Sequence, residues 1–306
     1  MTEKMRSAAD RIRRLDVQGA RNVAIAAVKA LETLAHETKT KNRECLVREL
    51  SEAKTILFEA RETEPLMRNA VKWIVNRVED SDERSVETLA KLVTSSSESF
   101  QKKLETSIEL IAEIGARRIR DGMVILTHCH SSTLTRLLAK AKKTGKNFDV
   151  MCTETRPALQ GRITAKEMLE LGIKTTMIVD SAARSFMNLA DIVFVGADAL
   201  TSEGNVINKI GTSSIALLAY ESRTPFYVVS ELLKFDPTTL CGDYEIIEER
   251  SPLEIWAEAP ENLIIRNPAF DVTRREYIHG IICEEGIIPP DSVVEVMNRR
   301  YPWVFH

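Results

Sequence analysis

The chain has 306 residues, 42 basic against 45 acidic side chains, a formal net charge of -3 and five cysteines. That length supports two ordinary domains, each with its own core. The balanced charge excludes a general attraction to nucleic acid or an anionic membrane, so any phosphate has to be held by a local site.

Cys45, Cys129, Cys152, Cys241 and Cys283 are odd in number, widely spaced and form no CxxC pair. Neither a disulfide framework nor a zinc knuckle is expected, and a reduced cytoplasm is the natural compartment. The charged N-terminus MTEKMRSAADRIRRL lacks the apolar stretch of a signal peptide, and no run of about 18 apolar residues follows. A soluble, unexported protein is expected.

From Thr2 to about Arg120 the sequence reads as helices. Glycines are few, and apolar residues return at three and four, as in Val23, Ala26, Ala27, Ala30, Leu31 and Leu34. After Asp121-Gly122 short apolar runs alternate with helical stretches. The pattern predicts strands at 123–127, 148–152, 175–179, 192–196 and 225–230, with amphipathic helices near 132–144, 164–171, 182–189 and 210–222. The expected fold class is α/β: a helical domain over 1–120, then a parallel sheet covered on both faces over 121–306.

Ligands of open parallel sheets sit beyond the carboxyl ends of the strands. That rule selects THCHSST, TETRP, DSAAR, GADA and SELLKF for close reading. In THCHSST, Cys129 ends a strand just before a helix, whose positive end favours a thiolate; the alternative is a small apolar residue closing a strand. His128, Cys129 and His130 are all potential metal ligands, but if the strand geometry persists the histidines project to one side and the thiol to the other. No metal site is expected.

In GADAL, Asp198 follows the apolar run IVFV, where a partly desolvated carboxyl can keep its proton and act as an acid. The alternative is a turn or cap aspartate. In NKIGTSS, Asn208 and Lys209 precede a helix start whose free amides would suit an oxyanion. QGARN (18–22) is a similar glycine-containing helix start with Arg21 beside it, and Arg61, Arg156 and Lys234 are further basic candidates. There is no GxGxxG after a strand, no GxxxxGK[ST] loop and no GxSxG elbow, so dinucleotide, P-loop and serine-hydrolase chemistry have no support.

Taken in order, THCHS, TETRP, QGRITAKE, VDSAAR, GAD, NKIGT, KF and NPAFDVT with GIIPP resemble the archaeal ribose 1,5-bisphosphate isomerases. These share a family with methylthioribose-1-phosphate isomerases and the regulatory subunits of translation initiation factor 2B. The resemblance, from about residue 14 to 295, implies a helical N-terminal domain followed by a Rossmann-like domain. It implies conversion of ribose 1,5-bisphosphate to the ketose in AMP degradation, in the cytoplasm, by a homohexamer built as a trimer of dimers. No cofactor, metal, nucleic acid or membrane is expected.

By the same resemblance Cys129 is the proton acceptor and Asp198 the proton donor. Substrate contacts map to Gln18, Gly19, Ala20, Arg21, Arg61, Ser131, Ser132, Thr133, Asn208, Lys209 and Lys234. The isomerases carry this Cys and Asp, and the initiation-factor subunits typically do not. The chain departs from the isomerase pattern at Gln18, where arginine is usual, and in Arg61-Glu62-Thr63, where Arg-Pro-Thr is usual. The alternative readings are a non-catalytic regulatory subunit and a methylthioribose-1-phosphate isomerase.

Overall fold

The computed structural model describes residues 2–242 and 247–305. They divide into two compact units, Met1–Thr106 with Tyr301–His306, and Ser107–Arg300. The division falls inside a long helix, upstream of residue 120, where the sequence pattern changes.

The first unit is helical: α1 (Glu3–Arg13), α2 (Ala20–Glu37), α3 (Arg43–Ala60), α4 (Pro65–Glu79) and the first part of α5 (Val86–Ala116). Local chemistry fixes the helix starts. Thr2 accepts the Met5 amide, Asn42 accepts the Glu44 and Cys45 amides, and Pro65 opens α4, where a missing amide costs nothing. The three-and-four spacing then sets the core: Val23, Ala27, Leu31 and Leu34 of α2 are fully buried. Each buried leucine contributes about 1.5–3 kcal/mol. The C-terminal turn Pro302–Phe305 belongs to this unit, with the Trp303 ring 6.2 Å from that of Trp73 and Lys72 donating to the Val304 carbonyl at 3.1 Å.

The second unit is α/β. In chain order it comprises β1 (Val124–Thr127), α6 (Ser132–Lys143), β2 (Asp149–Thr153), α7 (Gly161–Glu170), β3 (Thr175–Ile178), the single turn α8 (Ala183–Phe186) and β4 (Ile192–Val195). There follow β5 (Ala199–Leu200), β6 (Val206–Lys209), α9 (Thr212–Glu221), β7 (Phe226–Val229), β8 (Phe270–Thr273), β9 (Gly280–Cys283), β10 (Gly286–Ile288) and α10 (Val293–Arg300). A seven-stranded sheet has the order β10-β9-β7-β4-β1-β2-β3, parallel except for the β9–β10 hairpin. A separate antiparallel sheet holds β5, β6 and β8.

The chain leaves β1 toward β2 and β3 on one side, and returns on the other side through β4, β7 and β9. Strand order therefore reverses between β1 and β4, which pair through Ile125–Ile192 and Leu126–Val193. The crevice beyond the carboxyl ends of those two strands is where such sheets bind ligands. Ile125, Leu137, Phe194, Val229 and Ile282 belong to one buried cluster that joins strands to covering helix.

All five predicted strands are present within about a residue of their expected limits, and the helices near 132–144, 164–171 and 210–222 are α6, α7 and α9. The predicted helix at 182–189 is the turn α8 flanked by 3-10 turns. Five short strands, β5, β6, β8, β9 and β10, were not expected: each has two to four residues and none carries the uninterrupted run of four large apolar side chains seen at β4 and β7.

Gly161 shows how closely a helix start approaches the sheet. A Cβ there would lie 1.8 Å from the carbonyl oxygen of Thr153 at the end of β2. Backbone cannot yield as a side chain tip can. Gly161→Ala is therefore expected to destabilise the protein by about 2–4 kcal/mol, at or above the usual range for overpacking; chemical denaturation giving a loss below about 1 kcal/mol would contradict the packing described.

Candidate active site

The segment after β1 does not continue as a strand. Cys129 has φ +67, in the left-handed region, so the alternation that would separate it from His128 and His130 breaks down there. The turn is held from several sides: the Cys129 amide donates to Thr155 Oγ1 at 2.9 Å, and its carbonyl accepts from Thr164 Oγ1 at 3.0 Å. Asp180, beyond β3, accepts the Thr155 and Arg156 amides, each at 2.7 Å. Ser131 then caps α6 by accepting the Leu134 amide, leaving Ser132 and Thr133 in the helix's first turn.

His128 is buried and links this turn to the segment after β6. Its Nε2 donates to the Ile210 carbonyl at 2.9 Å, because a carbonyl can only accept. The Thr153 hydroxyl lies 2.6 Å from Nδ1, which leaves that nitrogen as acceptor. Burial pushes the imidazole below its ordinary value, so it is neutral at pH 7. Among the described residues no group of three or more His, Cys, Asp or Glu side chains is placed to hold a metal ion.

On the other side, β4 is followed by Gly196-Ala197-Asp198. Gly196 passes so close to Ser131 that a Cβ would meet its side chain at 2.9 Å. Asp198 is half-buried, and its amide donates to the Ile207 carbonyl of β6 at 2.8 Å. Asn208 and Lys209 are the last residues of β6. Asn208 donates to Thr212 Oγ1 at 3.0 Å, and the Lys209 ammonium lies 4.6 Å from the centre of the Phe270 ring. Lys234, on the turn after β7, donates to the Ala197 carbonyl at 2.7 Å and pairs with Glu231 at 3.3 Å.

Two expectations are corrected. At the start of α9 the Gly211 and Ser213 amides are not free for an oxyanion, because Asp271 of β8 already accepts them, at 2.8 and 3.1 Å. Burial raises that carboxyl to about 6, against the two amides that favour its charge. Nor is the Cys129 thiol favoured as a thiolate. Burial raises it to about 12; Lys209 and the His130 amide oppose that rise, while Asp198 and Asp180 add to it. Desolvation outweighs the positive end of α6.

Cys129, Ser131, Ser132, Thr133, Asp198, Asn208, Lys209 and Lys234 thus lie on strand ends, or on the segments that follow them, in the α/β unit. Gln18, Gly19, Ala20 and Arg21 lie at the start of α2 in the helical unit, where Arg21 is ion-paired with Glu105. Arg61 ends α3 and pairs with the buried Glu64 at 3.3 Å, whereas Glu62 is exposed. Arg156 is exposed and donates to the Ile255 carbonyl at 3.1 Å. Thr155, Asp180, Glu231 and Asp271 were not singled out from the sequence; the first three lie in the strand-end segments TETRP, DSAAR and SELLKF, which was the available signal.

A parallel sheet whose order reverses beside a cysteine and an aspartate defines a Rossmann-like α/β domain with a polar, titratable crevice. The model of the initiation factor 2 subunit family matches residues 16–290, and the chain belongs to that family. It is 40% identical to ribose 1,5-bisphosphate isomerase of Pyrococcus furiosus, over 97% of this chain and 94% of the relative. Identity to the Methanocaldococcus jannaschii protein of the same name is 42%, over 96% and 94%. Among solved structures, translation initiation factor eIF-2B of Pyrococcus horikoshii superposes with a TM-score of 0.82 at 32% identity, covering 95% of this chain and 98% of that one.

The thiol environment has a direct consequence. All five cysteines are free, and Cys45 and Cys241 are exposed. Only the thiolate alkylates. In a limited reaction with iodoacetamide near pH 8, Cys45 and Cys241 are expected to label at least about tenfold faster than Cys129, read by peptide mass spectrometry; Cys129 labelling first would contradict the raised value.

Proposed function

We propose that this chain is an isomerase that converts ribose 1,5-bisphosphate to ribulose 1,5-bisphosphate, with Cys129 and Asp198 moving the protons. The observation that carries the reading is their placement at the ends of the two strands between which sheet order reverses, within mutual electrostatic reach. The identity to archaeal proteins of that name over nearly the whole chain supports the choice of substrate. A cytoplasmic location, a role in AMP degradation and a homohexamer built as a trimer of dimers belong to the same proposal.

The 1-phosphate blocks spontaneous opening of the sugar ring. Asp198 gives its proton to the ring oxygen as the C1–oxygen bond breaks, and Cys129 as thiolate removes the proton from C2. The resulting enol collapses to the ketone: Asp198 recovers a proton from the C2 hydroxyl, and Cys129 returns its proton to C1. Both groups end as they began. Each proton-transfer role is worth about 10²- to 10⁴-fold. Lys209, Asn208 and the first turn of α6, with Ser131, Ser132 and Thr133, supply donors and positive charge for phosphate and enol oxygens.

The raised thiol shapes the pH dependence. Thiol plus carboxylate holds one proton, and so does thiolate plus carboxylic acid, so the working form is a proton-shifted version of the resting one. Its share stays constant with pH until the pair loses that proton, which the thiol sets near 12. We expect kcat/KM for ribose 1,5-bisphosphate to stay within about twofold from pH 7 to 10. Cys129→Ser and Asp198→Asn should each lower kcat by at least about 10³-fold with folding intact. Near-normal turnover by either variant, or better turnover of methylthioribose 1-phosphate by the native chain, would reject the assignment; no turnover of either sugar would favour the regulatory-subunit reading.

Gln18, Gly19, Ala20, Arg21 and Arg61 are assigned to the substrate by resemblance alone. If Gln18 faces a phosphate, Gln18→Arg adds a charge-assisted contact roughly twice as strong as a neutral one. Such a contact acts equally on ground and transition states, so it appears in KM and leaves kcat unchanged. The expected result is a lower KM for ribose 1,5-bisphosphate by about three- to tenfold, with a smaller change for a monophosphate; an unchanged KM withdraws Gln18 from the site.

A further inference from the structure

Glu231 lies two residues beyond the carboxyl end of β7 and is almost wholly buried, at 1% exposure. A buried carboxylate is costly unless it is paired and hydrogen-bonded. This one holds two side chains from separate elements. Its Oε1 accepts from Thr133 Oγ1 in the first turn of α6 at 2.8 Å, and its Oε2 lies 3.3 Å from the Lys234 ammonium. Lys234 in turn donates to the carbonyl of Ala197, the residue before Asp198. One carboxylate therefore joins the helix that follows Cys129 to the strand end that carries Asp198.

We propose that Glu231 is a positioning residue of the isomerase site, fixing Thr133 and supplying the counter-charge that holds Lys234 on the Ala197 carbonyl. The inference rests on the isomerase reading above. Glu231 has no role in the proton transfers; it acts through the two residues it holds. Among the described residues, the titratable groups on neighbouring segments include Asp198 beyond β4, Asp236 after the turn, and Glu284 after β9, whose carboxylate accepts the Leu232 amide at 3.1 Å.

Glu231→Gln keeps an acceptor for Thr133 and the shape of the side chain, but removes the counter-charge. Desolvation then favours the neutral amine of Lys234. The expected result is a kcat/KM lower by on the order of 100-fold near pH 8, with about tenfold recovery near pH 6 as the amine takes up a proton. The native chain should vary little over that range, and Glu231→Asp should retain most activity. Loss of similar size at both pH values, or activity within about threefold of native, overturns the proposal.

Should Glu231→Gln fail to fold, Glu231→Gln combined with Lys234→Met removes both charges and relieves the buried imbalance. That double variant is expected to match Lys234→Met alone in kcat/KM, and a further drop overturns the proposal. Native protein inactive on ribose 1,5-bisphosphate overturns both this inference and the isomerase reading. Native turnover with a pH-independent Glu231→Gln defect overturns this inference alone.

Discussion

The parallel pairing of β1 with β4 is the constraint on which the candidate site depends. Because the chain leaves β1 in one direction and returns on the other side, strand order reverses between the two, and the segments beyond their carboxyl ends lie where such sheets bind ligands. Cys129 and Asp198 come from positions far apart in sequence, and only this pairing makes them neighbours. The loops are then held by side chains at their backs. Thr155, Thr164 and Asp180 hold the Cys129 turn, and Lys234 holds the Ala197 carbonyl.

Burial dominates the electrostatics of this crevice. The Cys129 thiol rises to about 12 although Lys209 and a backbone amide both pull it down.

The same architecture carries different labels among relatives: isomerases at about 40% identity, and an initiation factor structure that superposes closely at 32%. Fold alone does not select among them. In this chain the titratable chemistry of the α/β unit is gathered at the strand ends. A cysteine, an aspartate, a lysine over an aromatic ring and a buried Glu–Lys pair are more than a purely structural crevice requires. In the helical unit Arg61 pairs with the buried Glu64, while Glu62, the residue that departs from the isomerase pattern, is exposed.

The α/β class, the five central strands and the candidates Cys129 and Asp198 were legible in the sequence, because each rests on local chemistry: an apolar run, a helix start, a polar residue at a run's end. Short β6 and β8 were not, since polar residues interrupt their apolar runs, VINK and FDVT, and their pairing is made across sixty or more intervening positions. Tertiary structure alone decided that Asp271 fills the start of α9, that Glu231 joins Thr133 to Lys234, and that Cys129 turns left-handed with its thiol desolvated. Charge, burial and hydrogen-bond partners are properties of what surrounds a residue, and the surroundings here come from distant segments that sequence order keeps apart.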